Sequence, residues 1–358
     1  MYYLIGIKGT GMSALAQILF DLGYEVMGSD KPDHFFTEKP LIERGIKILP
    51  FNKDNIKEDM LIVQGNAFSD TNEEVVRAKE LNLKIYTYQE MVGKLTKMFN
   101  TITVAGCHGK TTTSAMLSHV LNNIVGANYL IGDGSGYAIK ENNYFVLEAC
   151  EYKRHFLSYT PQYAIITNIE LDHIDYYKDI DDYIDAFREY ANNAEKMVIA
   201  CGDDQYTHML EPKKPIFFYG LNEDNDIVAR DVNYTNEGTS FDVYVEDNYY
   251  GHFDLPLFGK HMLLNSLAVI GVCYYERLDA KEVSKNLKTF KGAKRRFKEK
   301  VIGDIVTIDD YAHHPTEVKV TIKGARQKYP DKEIVASSTI PLKPLNGPSI
   351  TLTVSLTK

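Results

Sequence analysis

Tryptophan is absent from this 358-residue chain, and cysteine occurs only four times. The cysteines lie far apart and form no C-x-x-C pair, at Cys107, Cys150, Cys201 and Cys273. This spacing provides no disulfide framework, and it indicates reduced thiols in a cytoplasmic protein.

Long apolar segments and basic blocks are missing as well. The N-terminus, Met1-Tyr2-Tyr3-Leu4-Ile5-Gly6, reaches a glycine without a charged leader, so it predicts a β-strand rather than a signal peptide. No later run approaches membrane-spanning length. The net charge is −9, which argues against nucleic acid or a membrane surface as a partner.

The chain does contain enough apolar material for a substantial core. Hydrophobic residues make up 44% of it and charged residues 25%, which is typical of a globular protein. A length of 358 residues predicts two or three domains.

Residues 1–97 alternate short apolar strands with helical runs, which predicts a parallel sheet of the Rossmann type. The first strand leads into Gly6-Ile7-Lys8-Gly9-Thr10-Gly11, whose glycines precede a predicted helix over 12–22 and could cradle a diphosphate. Lys8 replaces the second glycine of a dinucleotide fingerprint, so a nicotinamide cofactor is disfavoured and a tight structural turn is the alternative. Asp30, after the second strand, is a candidate ribose contact.

The clearest chemical signal is Val104-Ala105-Gly106-Cys107-His108-Gly109-Lys110-Thr111-Thr112-Thr113. It joins an apolar strand to a helical run, which is the layout of a phosphate-binding loop. Glycine lets the backbone approach the phosphates, Lys110 would reach the β- and γ-phosphates, and the Thr111 hydroxyl would bind Mg²⁺. Val104 stands where the common motif has its first glycine, so the loop is a shorter variant. An ordinary helix start is the alternative.

Two later strands end in polar residues. The run 144–151 ends in Glu148-Ala149-Cys150-Glu151, and the run 163–173 ends in Asn168-Ile169-Glu170-Leu171-Asp172-His173. Open α/β sheets bind ligands at the carboxyl ends of their strands, so both sets are candidates for metal or ligand contact. Solvated loop acids are the alternative for each set.

The C-terminal half carries four further signals. Alternating apolar residues over 231–258 predict an antiparallel meander, and a helix begins near residue 259, where His261 or Asn265 could meet a base. The basic cluster 290–297 could meet phosphate. The strand over 305–310 leads into Asp309-Asp310-Tyr311-Ala312-His313-His314-Pro315-Thr316-Glu317, for which nucleotide or substrate contact ranks above a metal site.

Taken in order, these motifs resemble those of the Mur ligases. The resemblance covers residues 1 to about 336, and it includes the glycine loop, the phosphate loop, both strand-end acid sets, 259–265, Lys294-Arg295-Arg296-Phe297 and the run 309–317. It implies an α/β fold with a Rossmann-like domain over 1–97, a central P-loop ATPase-type domain with a small antiparallel element over 98–298, and a partial Rossmann-like domain over 299–358.

The resemblance also implies an activity, which is ATP-driven amide ligation in peptidoglycan precursor synthesis. UDP-N-acetylmuramate and L-alanine are the implied substrates, ATP and Mg²⁺ the cofactors, and the cytoplasm the location. The sugar carboxylate would attack the γ-phosphate of ATP, and the amine of L-alanine would then displace phosphate from the acyl phosphate.

Residue roles follow from the same resemblance. Residues Gly106, Cys107, His108, Gly109, Lys110, Thr111 and Thr112 would hold the ATP phosphates. Lys110, Glu151, His173 and Asn168 would be catalytic, and the metal would be held by Thr111, Glu151 and His173. His261 and Asn265 would contact adenine, Arg296 phosphate and Asp310 ribose. Substrate contacts would come from Gly9, Thr10, Gly11, Asp30, His313 and His314.

The sequence departs from the family pattern in three places. Cys107 and the run 150–154 replace commoner residues, although no charge needed by the mechanism is lost. After Ala336 the run 337–348 contains three prolines, which should stop the strand expected over 333–336. We therefore expect a reading-frame change near Ala336, a C-terminal unit that leaves Asp310, His313 and His314 exposed, and little ligase activity.

Three alternatives to the alanine ligase stay open on the sequence. A recycling ligase would attach an intact tripeptide to the same sugar nucleotide. A truncated nucleotide-binding module would bind without turnover. A dehydrogenase would need a reduced cofactor in the first domain. The sequence does not specify the oligomeric state.

Overall fold

The structure, a computed structural model, describes residues 1–303, 305–339 and 349–355. Its strands form three sheets, and the predicted α/β class is confirmed. No helix in these described ranges is both long and apolar enough to cross a membrane.

The N-terminal sheet has five parallel strands in the order β3-β2-β1-β4-β5. Its strands are β1 (Tyr2–Ile5), β2 (Val26–Ser29), β3 (Lys47–Leu49), β4 (Leu61–Gln64) and β5 (Ile85–Thr87). Its helices are α1 (Thr10–Asp21), α2 (Glu38–Glu43), α3 (Glu73–Glu80) and α4 (Tyr88–Thr96). Leu4 and Ile5 of β1 and Leu15 and Leu19 of α1 are fully buried, as the predicted Rossmann-type packing requires.

The central sheet has ten strands in the order β15-β14-β13-β12-β11-β10-β6-β9-β7-β8. They are β6 (Asn100–Ala105), β7 (Ala127–Leu130), β8 (Gly136–Tyr137), β9 (Tyr144–Glu148), β10 (Tyr163–Ile166), β11 (Met197–Cys201), β12 (Ile216–Gly220), β13 (Ile227–Thr235), β14 (Gly238–Val245) and β15 (Asn248–Leu255). Its helices are α5 (Lys110–Ile124), α6 (Ile180–Asn192), α7 (Lys260–Tyr275) and α8 (Ala280–Thr289).

Strand pairing explains why the acid-bearing segments meet. The strand β6 lies between β9 and β10 and runs parallel to both, so the three carboxyl ends reach the same edge of the sheet. At the far end of the sheet, β13, β14 and β15 pair antiparallel, which is the predicted meander.

The N-terminal and central sheets meet where α1 packs on β8. A Cβ on Gly136 would lie 2.1 Å from the carbonyl oxygen of Ala14, so only glycine allows this approach. Beside it, the buried Gln17 side chain donates to the carbonyl oxygen of Gly134 at 2.9 Å. This contact fixes the first glycine loop relative to the central sheet.

The C-terminal sheet has four strands in the order β16-β17-β19-β18, and each neighbouring pair is antiparallel. The elements are β16 (Lys298–Ile302), β17 (Ile305–Asp310), α9 (Pro315–Lys328), β18 (Glu333–Thr339) and β19 (Ser349–Ser355). The strand expected to end at Ala336 continues to Thr339, because β19 pairs along its length. The prolines at 341, 344 and 348 lie outside the described residues.

Candidate active site

The phosphate loop occupies the turn between β6 and α5. Gly106 and Gly109 have φ of +136° and +84°, values that side chains disfavour. A Cβ on Gly106 would lie 2.0 Å from the Thr167 hydroxyl, and one on Gly109 would lie 2.6 Å from the Asn265 amide oxygen. Both glycines are therefore required by close packing as well as by backbone conformation.

Asn168, which follows β10, fixes this loop from outside. Its Oδ1 accepts from the His108 amide at 2.9 Å, and its Nδ2 donates to the His108 carbonyl at 2.9 Å. The Thr167 hydroxyl donates to the same carbonyl at 2.6 Å. Asn168 thus orients the loop backbone.

Lys110 lies against its own loop and a buried acid. Its ammonium donates to the carbonyl oxygens of Gly106 and Cys107 at 2.6 and 3.1 Å, and to Glu151 Oε1 at 3.0 Å. Burial lowers the pKa of Lys110, but Glu151 and the other acidic groups nearby together outweigh it and leave the pKa above its usual value. The ammonium is therefore held charged.

Glu151 joins Lys110 to His173. It is 1% exposed, and its Oε1 lies 3.4 Å from His173 Nε2. Burial raises the pKa of Glu151, while the Lys110 charge and the contact with His173 bring it below the usual value. The hydrogen bond with Glu151 raises the pKa of His173. Among the described residues, the buried Glu151 Oε2 has no hydrogen-bond partner, so it is available to a cation.

The predicted metal ligands Thr111, Glu151 and His173 do not all contact one another. Thr111 contacts the Glu148 carboxylate, whereas His173 contacts the Glu151 carboxylate. The Thr111 hydroxyl donates to Glu148 Oε1 at 3.0 Å, and Gly132 N–H donates to Glu148 Oε2 at 2.7 Å. Glu148 is therefore a site residue, and the sequence placed it in the acid set at the end of β9 that was a candidate for metal or ligand contact. The set offers a hydroxyl, two carboxylates and an imidazole, which suits Mg²⁺ with phosphate oxygens.

A cavity of about 260 Å³ adjoins the loop. It is lined by residues of the loop, the start of α7, the segment before β16, and α9, and these include His108, Thr112, His261, Asn265, Arg296, Asp310 and Thr321. Burial, followed by the nearby Arg296 charge, lowers the pKa of His261 to about 4. A neutral imidazole and an amide beside a cationic side chain fit a base joined to phosphates.

Asp310 is a buried acid that organises its surroundings. It is 5% exposed, and it accepts from the amides of Phe297 and Ala312 at 3.0 Å each. Arg296 lies 3.6 Å away. The expectation that Asp310 would be exposed is wrong, because the β17 end is enclosed by the basic segment and by its own turn.

The adjacent histidines differ from each other. His313 is 41% exposed at its side chain, and its ring lies against Tyr311. His314 is 23% exposed at its side chain, so the expectation that it would be left exposed is also wrong, and its Nδ1 accepts from the Thr316 amide at the start of α9. Glu317, a residue without an assigned role in the sequence, accepts from the His313 amide at 3.0 Å.

The first glycine loop is built around Asp30. The two carboxylate oxygens of Asp30 accept from the amides of Lys8 and Lys31 at 2.7 and 2.8 Å, and the residue is 6% exposed. Its side chain thus fixes the loop backbone. A Cβ on Gly11 would lie 2.7 Å from the Tyr88 ring, and Gly9 is the capping residue just before α1.

A second cavity is lined by residues of both the first glycine loop and the phosphate loop. Its lining includes Thr10, Lys110, Glu151 and His173, together with Arg295. The Arg295 guanidinium lies 4.3 Å from the centroid of the Tyr311 ring and 5.3 Å from that of Phe36, so it touches both flanking parts of the chain. Arg295 had no assigned role in the sequence, and only its basic neighbourhood signalled it.

The geometry defines a nucleotide-dependent enzyme of the α/β class, and two family models agree with it. The Mur ligase middle domain matches residues 104–273, and the model described as Mur ligase family, catalytic domain, matches residues 1–100. The chain belongs to the Mur ligase family, whose members are ATP-dependent amide ligases of peptidoglycan precursor synthesis.

Solved structures give the same result. The chain is similar to UDP-N-acetylmuramate-alanine ligase MurC from Thermotoga maritima, with 27% identity, TM-score 0.78, and coverage of 92% of this chain and 78% of that one. It is similar to the murein peptide ligase of Psychrobacter arcticus, with 26% identity, TM-score 0.75, and coverage of 92% and 77%. It is also similar to the UDP-N-acetylmuramate:L-alanyl-gamma-D-glutamyl-meso-diaminopimelate ligase from Neisseria meningitides, with 26% identity, TM-score 0.72, and coverage of 82% and 99%.

Proposed function

We propose that this chain ligates L-alanine to UDP-N-acetylmuramate in the cytoplasm, with ATP and Mg²⁺, and that its atypical C-terminal tail impairs the reaction. The proposal assigns residues 1–97 to binding of the sugar nucleotide, 98–298 to binding of ATP, and 299–358 to an incomplete C-terminal ligase domain. One observation carries it above the others. Thr10 of the first glycine loop lines the same cavity as Lys110, Glu151 and His173, so a substrate held by the first loop would point at the transferable phosphate.

The ATP phosphates would lie on the loop amides of 106–112 and on Lys110, with the base beside His261 and Asn265. Asp310 would face the ribose, and Arg296 would face phosphate. Mg²⁺ held by Thr111, Glu148, Glu151 and His173 would neutralise charge on the transferring phosphoryl group. The orphaned Glu151 Oε2 and the glycine cradle are the features that fit this assignment.

The chemistry then follows in two steps. A carboxylate oxygen of the sugar attacks the γ-phosphorus, the bond to the β-phosphate oxygen breaks, and ADP leaves. The neutral amine attacks the acyl carbon and loses a proton, the bond between the acyl carbon and the phosphate oxygen breaks, and inorganic phosphate leaves with that proton as the amide forms. Residues of the second cavity would exclude water and hold the two reactants together. Holding reactants in the reactive geometry accelerates such transfers strongly.

Gly9, Thr10 and Gly11 would contact the sugar nucleotide. Asp30, whose carboxylate accepts from the Lys8 and Lys31 amides, would act by shaping that loop. His313, the more exposed of the two histidines, would face the substrate side, because it lines the second cavity, while His314 would position α9.

The test is phosphate release by the purified chain with MgATP and UDP-N-acetylmuramate, comparing two amines. We expect L-alanine to support turnover at least about tenfold faster than L-alanyl-γ-D-glutamyl-meso-diaminopimelate. A reaction without the sugar nucleotide is the control for simple ATP hydrolysis.

The tripeptide ligase is a second candidate, because two of the similar structures described above carry that activity or a related murein peptide activity in their names. Preference for the tripeptide would favour it. Binding of ADP and the sugar nucleotide without turnover on either amine would favour a non-catalytic binding module.

A further inference from the structure

Two histidines and a glutamate meet beside the phosphate loop, outside the proposed Mg²⁺ set. His108 belongs to the loop, Glu170 follows β10, and His314 precedes α9. One ligand atom from each residue lies within 4.8 Å of the others. His108 Nε2 is 3.0 Å from Glu170 Oε2, and His314 Nδ1 is 3.9 Å from Glu170 Oε1.

The proton count on His108 is the second observation. Its Nε2 faces Glu170, while its Nδ1 faces Glu317 Oε1 at 3.4 Å. A neutral imidazole has a single N–H, so it can donate to only one of these carboxylates. If Nδ1 carries the proton, the Nε2 lone pair points at a carboxylate oxygen, and a cation between them resolves the conflict. A histidine whose other nitrogen donates to a carboxylate is the usual arrangement of a metal ligand.

We propose that His108, Glu170 and His314 bind a divalent transition-metal ion, with Zn²⁺ as the best match, and that this ion holds the start of α9 against the phosphate loop. Imidazole and carboxylate are suitable Zn²⁺ ligands, and in a tetrahedral site the ligand atoms lie roughly 3.4 Å apart. The observed separations of 3.0 and 3.9 Å lie on either side of this value, so small side-chain shifts would bring the ligand atoms to it. The His314 Nδ1 gives up a long contact of 3.3 Å with the Thr316 amide to bind the ion.

The surroundings allow an ion to enter and to be held. Side chains of His108, Glu170 and His314 are 14%, 42% and 23% exposed, so the cluster is open on the cavity side. The Thr316 hydroxyl donates to Glu170 Oε1 at 3.0 Å, which orients the carboxylate. The fourth position would be taken by water. Since two ligands belong to the central sheet and one to the C-terminal unit, the ion would join these two parts of the chain.

The test of this site uses neither ATP nor turnover. The full chain, without nucleotide, is titrated with Zn²⁺ in competition with a chromogenic chelator. We expect one tight site per chain. Glu170→Gln, which keeps an acceptor for Thr316, and His314→Ala should each weaken it at least about tenfold.

Two variants are matched controls for zinc binding. His313→Ala removes the neighbouring imidazole, and His173→Ala removes the histidine of the proposed Mg²⁺ set, so both should keep the tight site. Thermal unfolding of each variant, measured without zinc, shows that it is folded. Hydrogen exchange of residues 311–320 should slow on adding Zn²⁺ to the unaltered chain.

Two results would overturn the proposal. Absence of tight Zn²⁺ binding by the unaltered chain would mean that His108, Glu170 and His314 do not form a metal site. Loss of the site in His173→Ala with retention in His314→Ala would move the ion to the Glu151 cluster. Either result leaves the ligase proposal untouched, since that proposal depends on phosphate release.

Discussion

Lys110 and Glu151 form a nearly buried ion pair that the surrounding groups support from both sides. Such a pair stabilises little by itself, because desolvation of two charges offsets their attraction. The role of the pair here is to position the Lys110 ammonium. Glu151 holds the ammonium at the mouth of the phosphate loop, and the carbonyl oxygens of Gly106 and Cys107 complete its hydrogen bonds.

Lys110→Ala should lower phosphate release by about 10²–10³-fold or more, because an ammonium directed at the transferring phosphate is lost. Affinity for the sugar nucleotide, measured by calorimetry, should change less than about twofold, because the first glycine loop is on a different sheet. Lys97→Ala, at an exposed position, is the control. Equal loss of sugar-nucleotide affinity in Lys110→Ala would contradict the assignment of two separate loops.

His261 predicts a pH dependence. Its pKa of about 4 in the folded chain lies below the ordinary 6.5, so the unfolded chain binds more protons between these values. Its contribution to stability is therefore complete above about pH 6.5 and is lost as the pH falls towards 4.

As the pH falls from about 6.5 to about 4, we expect the free energy of unfolding to decrease less in His261→Gln than in the unaltered chain. The difference between the two decreases should be on the order of 1 kcal/mol. His34→Gln, whose native side chain is 98% exposed, should follow the unaltered chain. Identical slopes for all three proteins would show that His261 titrates normally.

Some site residues could be identified from the sequence, and others could not. Lys110 and Gly109 could be predicted, because their chemistry depends on spacing within one loop. The contact between Thr111 and Glu148 could not be predicted, because it depends on β9 pairing next to β6, and this strand order is not written in the local sequence. Asp30 and Asp310 were predicted as ligand contacts, yet both carboxylates accept from two backbone amides. A strand-end acid has the same sequence pattern in either role.

At the scale of elements, β6 with α5 and β17 with α9 repeat one plan, which is a strand, a polar turn and a helix. Sequence periodicity predicted both units and the antiparallel meander, because each is a local pattern. The position of β19 between β17 and β18 was not predicted, because the pairing joins segments separated along the chain and the prolines before it favoured an end to the strand.

This pairing predicts a difference in hydrogen exchange. The strand β17 lies between β16 and β19, whereas β16 is at the edge of the described sheet and all five of its residues are exposed. Amides of 305–310 should therefore exchange more slowly than those of 298–302. The strand β14, paired on both sides, is the internal reference. Equally fast exchange of both C-terminal strands would contradict the four-stranded sheet.

At the scale of the whole molecule, the first cavity is shared between the central sheet and the C-terminal unit. The start of α7 supplies His261 and Asn265, while α9 supplies Thr316 and Thr321. A ligand that fills this cavity touches both parts, so its binding free energy is available to hold them together.

Addition of MgADP should consequently slow hydrogen exchange in two separate segments, the phosphate loop over 106–113 and the start of α9 over 315–321. At a free concentration one hundred times its dissociation constant, the nucleotide should stabilise the chain by about 2.7 kcal/mol. Protection confined to the phosphate loop would place the base outside the first cavity. Magnesium alone is the control.

The Arg295 guanidinium lies between the rings of Phe36 and Tyr311, so position 36 is suited to a fluorescent side chain that reports on this cation. The chain contains no tryptophan, so Phe36→Trp would install a single indole directly under the guanidinium. Its emission would depend on the distance to that cation, so one side chain would report how far the segment around residue 36 lies from the basic segment. Relative movement of these two segments could then be followed in real time, in solution, without any attached dye.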